Sequence, residues 1–126
     1  MKMNWIQNVL AIQLNGVIEA LQELGDIEVQ RRRWNSDGRG EVSSFSEAIE
    51  SLYGDSGLGD ELEKGLTGLD ASTVVNLKAL DKALSKIAPY RKPDDIIGDP
   101  AMAEVRRLAR EAMVSIRAQA KVRDNQ

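Results

Sequence analysis

Aliphatic side chains return every third or fourth residue over most of this chain. Between residues 4 and 24, Ile6, Leu10, Leu14, Val17, Leu21 and Leu24 keep that spacing, and Trp5, Val9, Ile12 and Ile18 widen the stripe. Val74, Leu77, Leu80, Leu84 and Ile87 repeat it, as do Met102, Val105, Leu108, Ala109, Ala112, Met113 and Ile116. Such spacing gathers the apolar residues on one side of a helix, whereas a half-buried strand needs alternation. Only Ile27 and Val29 alternate with polar neighbours, and no second strand is available to pair with them. The pattern predicts an all-α protein, an irregular bundle of four principal helices plus one short helix.

Local signals set the expected boundaries. The first helix runs from Asn4 to Leu24, weakened at Gly16 by about 1 kcal/mol relative to Ala, with Gly25 as its cap. Residues 26–34 fit either a short helix or a strand, and helix or irregular structure is favoured. Trp34 reads as a core anchor, with Arg31, Arg32 and Arg33 splayed outward and their stems along it. Asp37-Gly38 and Gly40 reverse the chain. Ser44 and Glu47 match a capping box that opens a helix with Phe45, Ala48, Ile49 and Leu52 inward, ended by Gly54. One or two helical turns follow from Asp60 to Leu66. Asp70 or Ser72 caps a helix reaching about Ala88, where Pro89 stops it. Tyr90 to Gly98 reads as a loop, and Asp99-Pro100 opens a last helix extending to about Val122.

At 126 residues the chain is expected to form one domain spanning 1–126, with a polar tail at 123–126. Its aromatics are Trp5, Trp34, Phe45, Tyr53 and Tyr90, so the core must be aliphatic. Cysteine and histidine are both absent. That excludes disulfides, thiol catalysis and cysteine-ligated zinc, and removes the commonest general base. A metal would have to be held by oxygen atoms, yet the run from Asp55 lacks the calcium-loop pattern: its third, fifth and twelfth positions are Gly57, Gly59 and Leu66. Glu47 and Glu50 read as a capping and a surface acid. Lys78, Lys82 and Lys86 read as a solvated row. The expectation is therefore a protein that is not an enzyme and uses no cofactor or metal. Polar residues break every apolar run near the N-terminus, and no run approaches the roughly 20 residues of a membrane span. A cytoplasmic protein with no membrane partner is expected.

The net charge of −3 is unevenly placed. Between Glu41 and Asp70 there are eight acids against one base, Lys64, a local charge of −7. Arginines gather instead at Arg31, Arg32, Arg33 and Arg39, and along the last helix at Arg106, Arg107, Arg110 and Arg117. Two readings stand: an acidic face that meets a basic partner, or acids that pair internally with the arginines. Arg31–Arg33 beside Trp34 suit nucleic acid in residue type, but the acidic chain would repel phosphate, so no nucleic-acid partner is expected.

The run Trp34, Gly38 and then Val42-Ser43-Ser44-Phe45-Ser46-Glu47-Ala48-Ile49-Glu50-Ser51-Leu52-Tyr53-Gly54-Asp55 resembles small helical immunity proteins of bacterial toxin systems, particularly contact-dependent growth inhibition. The resemblance implies a protein that is monomeric until it binds the toxic domain of a larger effector and blocks it. Many such toxins are nucleases with basic clefts, which an acidic surface would match by imitating phosphate. The candidate contact residues are Glu41, Glu47, Glu50, Asp55, Asp60, Glu61 and Glu63. The alternative is a helical interaction or assembly module of phage or mobile-element origin, which would self-associate through an exposed apolar stripe.

Overall fold

The computed structural model describes residues 14–34, 41–65 and 68–124. Among them the chain forms seven α-helices and no strand: α1 Leu14–Gly25, α2 Ile27–Arg33, α3 Phe45–Ile49, α4 Leu58–Lys64, α5 Ala71–Leu84, α6 Pro93–Ile97 and α7 Met102–Asp124. A π-helical segment, Glu50–Asp55, lies between α3 and α4. The all-α expectation holds. The expected start of the first helix, the turn at residues 35–40, Leu66 and the end of the tail fall outside the described residues.

The helix α7 is the spine, packed along both α1 and α5. Its inner stripe of Met102, Val105, Ala109, Ala112 and Ile116 is fully buried. Val17, Leu21 and Leu24 of α1 and Leu77 and Leu80 of α5 are equally closed to solvent. These are the residues whose spacing predicts burial, and their contacts are aliphatic on aliphatic.

Polar side chains fasten the spine at its ends. Gln119 Oε1 accepts from the Asp70 N–H at 2.8 Å, and its Nε2 donates to the Gly68 carbonyl at 2.9 Å. Thr73 Oγ1 and Ser115 Oγ lie 2.6 Å apart between α5 and α7. At the other end Arg110 Nη1 donates to the Gly25 carbonyl at 2.9 Å, where α1 leaves its last carbonyls without helical partners. Arg106 donates through Nε to Gln30 Oε1 and through Nη2 to the Ile97 carbonyl.

Several boundaries differ from expectation for local reasons. Residues 26–34 are helical: Asp26 caps α2, its Oδ1 accepting from the N–H groups of Glu28 and Val29. Gly54 does not end a helix; the chain winds through it to Asp55. The helix α5 stops at Leu84, before Pro89, and Ser85 Oγ donates to the Lys82 carbonyl at 2.6 Å. Asp70 holds the N-cap position of α5 without a side-chain cap bond. Residues 90–98 contain α6, with Pro93 in its first turn and Ile96 and Ile97 buried. Asp99 caps the start of the last helical stretch, its Oδ1 accepting from the Ala101 N–H at 2.9 Å.

Candidate functional site

The acidic segment is built on α3, the π-helical segment and α4. Ser44 Oγ accepts from the Glu47 N–H at 3.1 Å and starts α3. The reciprocal bond of a capping box is absent among the described residues, and Glu47 is exposed. Phe45 packs edge-on against Trp34, ring centroids 6.0 Å apart and planes at 78°. At Glu50 the helix widens to π winding. The Glu50 carboxylate lies over Gly54, where a Cβ would sit 2.2 Å from Glu50 Oε1. Ser56 Oγ donates to the Leu52 carbonyl and accepts from the Leu58 N–H at 3.1 Å. Gly57, at φ 79°, then turns the chain in a left-handed conformation that costs glycine little.

Of the seven candidate contact residues, Glu41, Glu47, Glu50, Asp55, Asp60 and Glu63 are exposed and Glu61 is half-buried. None of them forms an ion pair among the described residues. The arginines pair with other acids: Arg31 with Glu28, Arg33 with Glu23, Arg91 with Asp99, and Arg107 with Glu104 and Glu111. Internal pairing therefore does not neutralise the segment among these residues. The seven acids do not converge on one pocket either. Asp55 lines a cleft of about 550 Å³, while Glu41 lines a separate hollow of about 140 Å³ beside Trp34 and Pro89.

The larger cleft is bounded by α1, α2, Ser43, Ala48 of α3 and the end of the π-helical segment. At its base lies Glu23, a buried acid that the apolar spacing does not single out. Glu23 Oε2 accepts from Trp34 Nε1 at 2.8 Å and from Ser43 Oγ at 2.8 Å. Arg33 Nε stands 2.9 Å from Glu23 Oε1 as an ion pair, without an aligned hydrogen bond. The carboxylate thus ties α1 to the ends of α2 and to the chain entering α3. The Arg33 carbonyl adds to the joint by accepting from the N–H groups of both Val42 and Ser43 at 2.9 Å. One sequence signal pointed here: a buried indole N–H requires an acceptor, and Trp34 is the natural core anchor. Arg33 consequently turns back to Glu23, while Arg31 and Arg32 stay exposed.

Gln30 is a second buried polar group that the sequence hides. Its Nε2 donates to the carbonyls of Glu23 and Leu24, and its Oε1 accepts from Arg106. Burial, with Arg31 and Arg110 nearby, pulls the Arg106 guanidinium below the usual arginine range. Tyr53, in the π-helical segment, donates its hydroxyl to the Leu77 carbonyl at 2.8 Å. Burial, reinforced by Asp81, raises the Tyr53 phenol well above its ordinary value.

Among the described residues no three acids are arranged to hold a metal ion, and no helix is long and apolar enough to cross a membrane. The polar groups of the cleft suit recognition through charge and hydrogen bonds. Comparison of the chain with models of known protein families, with characterised proteins and with solved structures finds no match in any of the three.

Proposed function

We propose that this chain is a protein-binding inhibitor of the immunity class, neutralising a cognate bacterial toxin domain with the acidic segment 41–70 turned toward a basic surface on that partner. The observation that carries the reading is the unpaired state of Glu41, Glu47, Glu50, Asp55, Asp60, Glu61 and Glu63 among the described residues. Uncompensated acids on a chain with arginines elsewhere create a local negative field, which speeds encounter with a basic partner and weakens with salt. The resemblance of residues 34–55 to immunity proteins supplies the class of partner.

The test is a growth assay. The end of the reading frame immediately upstream is induced in a bacterium with and without this chain. Killing by the fragment and rescue by the chain support the proposal; a harmless fragment, or killing regardless, overturns it. With the fragment in hand, reversing Glu47, Glu50, Asp60 and Glu61 together to Lys should slow association about tenfold or more at low salt. An unchanged rate would remove the acidic surface from the interface.

The alternative, a self-associating helical module, draws on one observation. Val75 on α5 and Val114 on α7 are 66% and 65% exposed on two helices packed together. Sedimentation separates the readings: a monomer across concentrations disfavours assembly.

A further inference from the structure

We propose that the cleft above Glu23 is a socket for one arginine or lysine side chain of the partner protein. The inference rests on the acidic-surface reading and assigns that surface its anchoring point. Part of the cleft wall is built from small residues. Gly16 and Ala20 of α1 face Ala48 of α3 and Ser51 of the π-helical segment across it. A glycine in a helix interior is unfavourable by about 1 kcal/mol relative to Ala, and Gly16 adds no side chain to the wall. Ser51 and Asp55 of the π-helical segment both line the cleft, and such irregular turns are frequent at functional sites.

The charge balance selects a cation. Glu23 and Arg33 neutralise one another at the base, and Trp34 and Ser43 both donate to Glu23 Oε2. That leaves Glu19 and Asp55 against Arg32 on the walls, two acids to one base, with none of the three in an ion pair among the described residues. The adjoining acidic segment deepens the negative potential. The Ser51 hydroxyl makes no hydrogen bond among the described residues and stands as a further acceptor. Ala20, Val29 and Ala48 supply apolar wall for the methylene stem that Arg and Lys both carry. A carboxylate or phosphate would meet the uncompensated acids first.

The experiment is an amide NMR titration of the full chain with N-acetyl-arginine amide, a capped residue that carries only the side-chain charge. Saturable shifts at Gly16, Ser51 and Asp55 are expected, with none of that pattern from N-acetyl-glutamate amide. The Glu19→Gln, Asp55→Asn double variant changes exposed side chains only and should bind the arginine probe about tenfold more weakly. Reversal of Glu47, Glu50, Asp60 and Glu61 should leave the residues that shift unchanged. Absence of saturable shifts at the cleft overturns the proposal, as does equal binding of the glutamate probe. Tighter binding of free arginine than of the capped form also overturns it, since that marks a site for a free amino acid. The two readings fail separately: loss of arginine binding with rescue of growth intact removes the socket alone, whereas a socket that binds while the quadruple variant associates at an unchanged rate removes the acidic surface alone.

Discussion

Leu77 and Glu23 are both hidden from solvent, at 0% and 7% exposure, yet two different kinds of chemistry keep them there. Around Leu77 the spine of α7 with α1 and α5 is aliphatic, and its attraction is non-directional and roughly proportional to the area buried. Around Glu23 the joint of α1, α2 and the entry to α3 is polar, and its bonds require particular donors at particular angles. The spine makes the chain a bundle. The joint decides how the acidic segment leaves that bundle. Damage to the first should be graded; damage to the second should leave polar groups stranded, which costs more than the bonds themselves are worth.

The largest expected effect is Glu23→Ala. It leaves the Trp34 indole N–H and the Ser43 hydroxyl without their acceptor in a buried site. Arg33 can turn to water, because its side chain is 42% exposed, so its loss counts for less. Together these give about 4 kcal/mol of destabilisation in urea unfolding. In a Trp5→Phe background, where Trp34 is the only tryptophan, the folded variant should also show red-shifted tryptophan fluorescence. Leu77→Ala should cost about 3 kcal/mol through lost burial and the cavity left behind. It should leave Trp34 emission unmoved. If both variants shift the emission equally, the spine and the joint are one structure and the contrast fails.

How much of this was legible in the chain follows the same division. Aliphatic spacing identifies the inner faces of α1, α5 and α7, because a helical period can be read directly from sequence. Local caps such as Ser44, Asp26 and Asp99 act within three residues, and those at Ser44 and Asp99 were equally readable. Beyond the need of the Trp34 indole for an acceptor, the partners in the polar contacts were not legible, because they lie far apart: Glu23 to Ser43 spans 20 positions, and Gln30 to Arg106 spans 76. The π winding was hidden for another reason. Gly54 signals a helix end when read alone, yet the chain winds through it to Asp55. The short helix α6 escaped because two prolines and a run of charges mask its buried pair, Ile96 and Ile97.

Tyr53 bridges the two regions, since its ring belongs to the π-helical segment and its hydroxyl ends on the Leu77 carbonyl of α5. Tyr53→Phe keeps the ring and removes that bond, at an expected cost of about 1 kcal/mol near neutral pH. The pH dependence sharpens the test. The folded phenol has its pKa raised above the ordinary value of 10.0, so it stays protonated where the unfolded chain ionises. The stability it contributes is fully present below pH 10.0 and declines as pH climbs beyond that value. Wild type should therefore lose stability on the alkaline side faster than Tyr53→Phe, and the gap between them should narrow as the pH rises. Parallel alkaline limbs in urea unfolding would mean the hydroxyl is not held on α5. The acidic segment would then be joined to the spine through its apolar contacts alone, with its orientation set at the Glu23 joint.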